Sequence, residues 1–185
     1  TDIERGLIAA LAAYYGDPQP NPGASADQVA QSCHGLTGGA DHAARAAAYE
    51  KSLAPLYAAN PKDVEGASFY ALALMATATP GDPTLANPRR AAEILEPFYA
   101  TNPNHPGVMH YLIHAYDYPP LAEKGIAAAR RYASLAPAAP HAQHMPSHIF
   151  VQLGMWSEAN RSNEAAWAAS DAWVRAKALD VSHHD

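Results

Sequence analysis

One cysteine, Cys33, is all the chain has, so no intramolecular disulfide can form and a cysteine-rich zinc site is excluded. That does not choose a compartment, because periplasmic proteins can also lack disulfides. A soluble chain in the cytoplasm or the periplasm is expected. Charge is sparse too: charged residues make up 16% and the net charge is −6 with His neutral. Phosphate binding needs a surplus of Lys and Arg, and the pairs Arg89-Arg90 and Arg130-Arg131 are isolated. Nucleic acid is therefore not an expected partner. No apolar run approaches the roughly 20 residues that span a bilayer, so no membrane partner is expected either. Asp2, Glu4 and Arg5 interrupt the apolar start, which reads as a helix and not a signal peptide. The chain starts at Thr1 without Met, so an upstream segment, with or without an export signal, is expected to have been lost. There is no phosphate loop, no Gly-x-Ser-x-Gly, no His-Glu-x-x-His and no paired-carboxylate motif. These absences argue against nucleotide use and serine hydrolysis.

What is abundant is alanine in helical periodicity, punctuated by 16 prolines, and 10 histidines. The 185 residues, 49% hydrophobic, suit one globular domain with a real core. Ile3, Leu7, Ile8, Leu11, Tyr14 and Tyr15 mark one face of a first helix. Residues 16–40 are rich in Gly, Pro, Ser and Asp and read as a long loop. A helix should resume near Asp41, an N-cap candidate, and run to about Ala59. Further helices are predicted near 64–78, 88–101, 106–117, 120–135, 146–154 and 156–177.

The spacing of these elements repeats. Pro103 and Pro137, Pro106 and Pro140, His110 and His144, His114 and His148, and the aromatics Tyr116 and Phe150 are each 34 residues apart. That is the period of the tetratricopeptide repeat, a helix–turn–helix unit that stacks into a solenoid. Leu112 and Tyr116 fit the first helix of such a unit, and LGMWSEA at 153–159 fits the turn between its helices. Ala91, Leu95 and Pro103 fit the second helix and its closing proline. Met109 and Gln143 depart from the pattern where Trp is common, and Asn163 where an aromatic is. Pro61 precedes Pro103 by 42 residues, which places an insertion of about 8 within 77–87.

The stretches FYALALMATATPGDPT, HPGVMHYLIHAYDYP, LAEKGIAAARRYASLAP and APHAQHMPSHIF together resemble a bacterial family of tetratricopeptide-repeat proteins without a firmly assigned activity. The resemblance runs from about residue 3 to the end and is weakest across 16–40. It implies an all-α fold: a tetratricopeptide-like α-α superhelix, a right-handed solenoid of about four helical hairpins. Family members carry more repeats on both sides, so residues 1–185 read as one repeat domain cut from a longer solenoid, with SHHD at the entry to a further helix. A protein or peptide in the concave groove is then the expected partner. Exposed solenoid ends, with Tyr14, Tyr15, Trp167 and Trp173, would allow self-association.

The candidate site lies in HPGVMHYLIHAYDYP at 105–119 and PHAQHMPSHIFVQLG at 140–154. Residues four apart share a helix face, so His110 pairs with His114 and His144 with His148. His141 joins them if helical turns continue through Pro146, which disfavours helix at Met145. The resemblance puts both pairs on the groove face, and helix axes about 8–10 Å apart can be bridged by two imidazoles. Two readings stay open. In one, His110, Tyr111, His114, Asp117, His141, His144 and His148 are polar contacts of a peptide groove. In the other, His110, His114, His144 and His148 hold a divalent transition metal (Zn, Ni, Cu or Fe), with Asp117 and Tyr111 in support. A metal-bound water could then serve an enzyme, though the sequence does not decide that there is one. His105 reads as a turn former before Pro106, His42 as solvated, His183 and His184 as a frayed end, and the Cys33-His34 pair as a loop neighbour pair. Phe69, Tyr70, Phe98, Tyr99, Tyr111, Tyr116, Phe150 and Trp156 read as mostly core.

Overall fold

The computed structural model describes residues 1–15, 39–180 and 182. Among them every regular element is a helix and no strand occurs. The loop expected over 16–40 lies outside the described residues apart from its last two positions, as do Cys33, His34, His183 and His184. No helix among the described residues is long and apolar enough to cross a membrane. Contacts divide the chain into two compact units, Thr1–Asp82 and Pro83–Asp185.

The first unit holds α1 (Asp2–Tyr15), α2 (Gly39–Ala59) and α3 (Val64–Ala76). Helix α2 packs against both others. Ala10, Leu53 and Ala73 are fully buried at their junction, with Leu7, Tyr49, Leu56, Phe69 and Tyr70 packed around them. Asp63 starts α3 as an N-cap: its side chain accepts from the Gly66 amide at 2.7 Å. Helix α2 opens at Gly39, so Asp41 lies in its first turn and not at its cap. His42, expected to be solvated, is half-buried with its ring edge-on to Tyr14 at 6.2 Å. The Tyr14 ring, placed by contact with Tyr49 at 5.9 Å, gives it an apolar surface to lie on.

The second unit holds α4 (Ala86–Thr101), α5 (Pro106–Tyr116), α6 (Ala122–Tyr132), a 3₁₀ turn (Ala133–Leu135), α7 (Pro140–His144), α8 (Pro146–Gln152) and α9 (Trp156–Ala176). The segment 77–85, where the insertion was expected, is irregular and turns at Gly81 and Leu85, both at positive φ. Helix α5 packs against α4 and α6, α8 against α6 and α5, and α9 against α7 and α8. Leu95, Met109, Leu112, Ile113, Met145 and Ile149 are buried among them. The prolines act as the sequence suggested. Pro106 and Pro140 each sit at the first residue of a helix, where a missing N–H costs nothing. His105 is the N-cap of α5, its Nδ1 accepting from the Val108 amide at 3.2 Å.

Pro146 does less damage than its position predicts. Met145 keeps helical angles (φ −49°, ψ −39°) despite the proline that follows. Its amide donates to the His141 carbonyl at 3.0 Å, and the His148 amide donates to Met145 at 3.2 Å. The backbone therefore winds helically from Pro140 to Gln152, although Pro146 has no N–H to donate. Met145, Pro146 and Ser147 are all buried, and that packing offsets the local penalty.

Trp156 corrects the core reading: it is 67% exposed. The backbone turns at Gly154 (φ +67°) just before α9 begins, and Trp156 at its first position is carried outward. Trp167 and Trp173 are also exposed on α9, as Tyr15 is on α1.

Candidate metal centre

Five imidazoles come together in the second unit. His110 and His114 extend from successive turns of α5, His141 and His144 from α7, and His148 from α8. Their rings form a closed circuit. Centroids are 5.0 Å apart from His141 to His110, 4.8 Å from His110 to His114, and 5.7 Å from His114 to His148. The circuit closes with 5.0 Å from His148 to His144 and 6.4 Å from His144 to His141. The geometry follows from the helices: a step of four residues along α5 and across α7–α8 stacks each pair on one face.

Within the circuit there are two groups of nitrogens. His110 Nε2 lies 3.1 Å from both His114 Nε2 and His141 Nε2. Ring nitrogens of these three residues all lie within 4.8 Å of one another. His144 Nε2 and His148 Nε2 form the other group, 3.1 Å apart. A tetrahedral ion about 2.05 Å from each imidazole nitrogen sets neighbouring nitrogens about 3.3 Å apart, close to the 3.1 Å separations and well inside the 4.8 Å span of the three.

Neighbouring side chains orient the rings. His148 Nδ1 faces Asp117 Oδ2 at 2.8 Å, and Gln152 Nε2 donates to the other carboxylate oxygen at 2.8 Å. His144 Nδ1 faces Asn163 Oδ1 at 2.7 Å. His110 stacks on Tyr111 and on Tyr132, each with centroids 5.4 Å away. Four of the histidines are half-buried and His141 is exposed, so the circuit opens to solvent on the His141 side.

No family model, curated protein or solved structure matches the chain.

Burial, reinforced by His114, His141 and His148, pushes the His110 imidazole down to about 3. Burial and then His148 push His114 down to about 4, against a small opposing pull from Asp117. Both rings are neutral at pH 7, and neutral imidazole is the form that ligates metals. With His141 as a third ligand, a bound ion would keep further coordination positions open, where a water would be acidified.

The structure brings His110, Tyr111, His114, Asp117, His141, His144 and His148 close to one another. Their division differs from the expected quartet, because His141 groups with His110 and His114 while His144 and His148 stand as a pair. Gln152, Asn163 and Tyr132 were not anticipated. Asn163 did carry a signal, since it replaces the aromatic of the repeat pattern. Gln152 and Tyr132 carried none.

Proposed function

We propose that this chain is a metal-binding helical scaffold whose ion is held by His110, His114 and His141. The observation that carries it is the pair of 3.1 Å separations from His110 Nε2 to its two neighbours, close to the spacing of ligands round one ion. Zn²⁺, Cu²⁺, Ni²⁺ and Fe²⁺ all suit an imidazole set with no thiolate. The scaffold is read as tetratricopeptide-like repeats in a right-handed superhelix. Support comes from equivalent helix starts at Pro106 and Pro140, 34 residues apart, and equivalent histidine pairs behind them.

The test is metal uptake by the untagged chain. Saturation at 100 times Kd should add about 2.7 kcal/mol, a rise of roughly 5–10 °C in Tm for a chain this size. His110→Ala with His114→Ala should abolish the rise while the helical circular dichroism is kept. No shift with any of the four ions would overturn the reading.

A second reading, a groove for a peptide, has one observation in its favour. A cavity of about 470 Å³ lies among α6, α8 and α9, with Phe150 and Ala129 in its wall and Arg130 and Arg161, against one carboxylate of Glu158, at its polar edge. Such a groove suits an acidic peptide. Anisotropy titration with a labelled acidic peptide should lose at least tenfold in affinity on Arg130→Glu with Arg161→Glu. Binding that survives this charge reversal and instead disappears in the His110→Ala variant would move the peptide to the histidines.

A further inference from the structure

We infer that His144 and His148 hold a second divalent transition-metal ion beside the first, making the five-imidazole circuit a two-ion centre. This rests on the metal reading of His110, His114 and His141 and extends it to residues outside that group.

The argument is about protons and lone pairs. A neutral imidazole that donates from Nδ1 has no hydrogen on Nε2. The Asp117 carboxylate is acceptor-only, and Gln152 holds its other oxygen, so His148 must be the donor at Nδ1. His144 likewise presents Nδ1 to the carbonyl oxygen of Asn163 at 2.7 Å. Ser147 Oγ also approaches His144 Nδ1, at 3.4 Å. In their neutral forms, with Nδ1 donating to Asp117 and Asn163, both rings present a bare lone pair at Nε2. Yet the two Nε2 atoms face each other at 3.1 Å. Two lone pairs at that distance repel unless a proton or a metal ion sits between them, and the site is set to exchange the one for the other. The separation is also that of neighbouring ligands on one ion. An outward Nδ1–H bonded to a carboxylate or an amide oxygen is the arrangement that fixes metal-bound histidine and raises its basicity.

One ion cannot serve all five rings as they stand. Nitrogens bound to one ion at about 2.1 Å can be no more than about 4.2 Å apart, so even the His110, His114 and His141 set, spanning up to 4.8 Å, must draw in slightly around an ion. Among the described residues, the group of three or more within even 4.8 Å is His110, His114 and His141 alone. The two groups are nevertheless neighbours, His114 and His148 having centroids 5.7 Å apart. A pair of imidazoles leaves two or more positions on the second ion for solvent or an external ligand. The expected ion is Cu²⁺, Ni²⁺ or Zn²⁺, which favour imidazole nitrogen; a hard oxygen-seeking cation such as Mg²⁺ or Ca²⁺ is not.

The experiment counts ions. The untagged full chain is stripped with chelator, titrated calorimetrically with Zn²⁺, and assayed for bound metal after desalting. Two ions per chain are expected. His144→Ala with His148→Ala should leave one, and His110→Ala with His114→Ala should also leave one. Asn163→Ala changes an exposed residue that ligates neither ion, so folding is not at risk. It frees the His144 tautomer and should weaken only the second ion, by roughly 10–100-fold. One ion per chain that persists in His144→Ala/His148→Ala overturns the second site and leaves the first standing. One ion lost in either double variant means a single shared ion and overturns the two-ion centre. No bound ion at all overturns the proposed function as well.

Discussion

Gly125→Leu should dismantle the proposed metal site without touching a histidine. Gly125 lies in α6 and is buried against both helix systems that carry the site. A Cβ built there would stand 2.6 Å from Ile149 Cδ1, 3.0 Å from Ile149 Cγ1 and 3.2 Å from Tyr116 Cβ. Ile149 is fully buried on α8 next to His148, and Tyr116 is nearly so on α5 next to Asp117. Neither can swing into solvent to make room, so a leucine must push α5 and α8 away from α6. Overpacking of this kind costs about 1–3 kcal/mol, or roughly 2–12 °C in Tm for a chain of this length. The effect on metal should exceed the effect on stability. The Asp117–His148 contact and the His114–His148 approach each join α5, or the residue that ends it, to α8. Urea midpoints and zinc titrations on the same samples make the comparison. A variant with the wild-type midpoint and wild-type zinc affinity would show that α6 does not set the spacing of α5 and α8.

That dependence on α6 marks the boundary of what the sequence disclosed. The 34-residue return of Pro, His and aromatic positions was legible because each repeat uses the same local device: a proline start, then histidines four apart on one face. The all-helical character was legible for the same reason, in the periodicity of alanine and leucine. Pro146 misled, because its local preference against helix at Met145 is outweighed by burial of Met145 through Ser147, which no local pattern reports. Gln152 could not be anticipated either. Its partner Asp117 is 35 residues away, one more than the period, so the repeat itself offers no hint of the pairing. The stacking of Tyr132 on His110 depends on how α6 lies against α5, a matter of tertiary packing. Trp156 failed for the opposite reason. Its helix-contact spacing with the other aromatics suggested packing, but the chain turns at Gly154 and leaves it exposed.

The burial that readies the histidines for metal should make the metal-free chain acid-sensitive. His110 has its imidazole lowered from 6.5 to about 3 in the folded chain, and His114 to about 4. In the unfolded chain both return to the ordinary value. Between pH 6.5 and pH 4 the unfolded state therefore binds protons that the folded state refuses, and stability falls as pH falls. The contribution is whole above pH 6.5 and is lost progressively down to about pH 4 for His114 and about pH 3 for His110. By pH 5 a ring with an unfolded value of 6.5 that stays neutral when folded forfeits at most about 2 kcal/mol. Both rings are half-buried, so water screens part of this and about 1 kcal/mol each is the expected loss. Urea unfolding with chelator present should show the midpoint dropping between pH 7 and pH 5. His110→Gln with His114→Gln, which keeps polarity and removes the titration, should flatten that slope. An undiminished slope in the variant would assign the acid sensitivity to other groups. Bound metal should move the onset to lower pH, because protons and the ion compete for the same lone pairs and unfolding must then also release the ion. A site that took up zinc without shifting that onset would be binding it somewhere other than at these two rings.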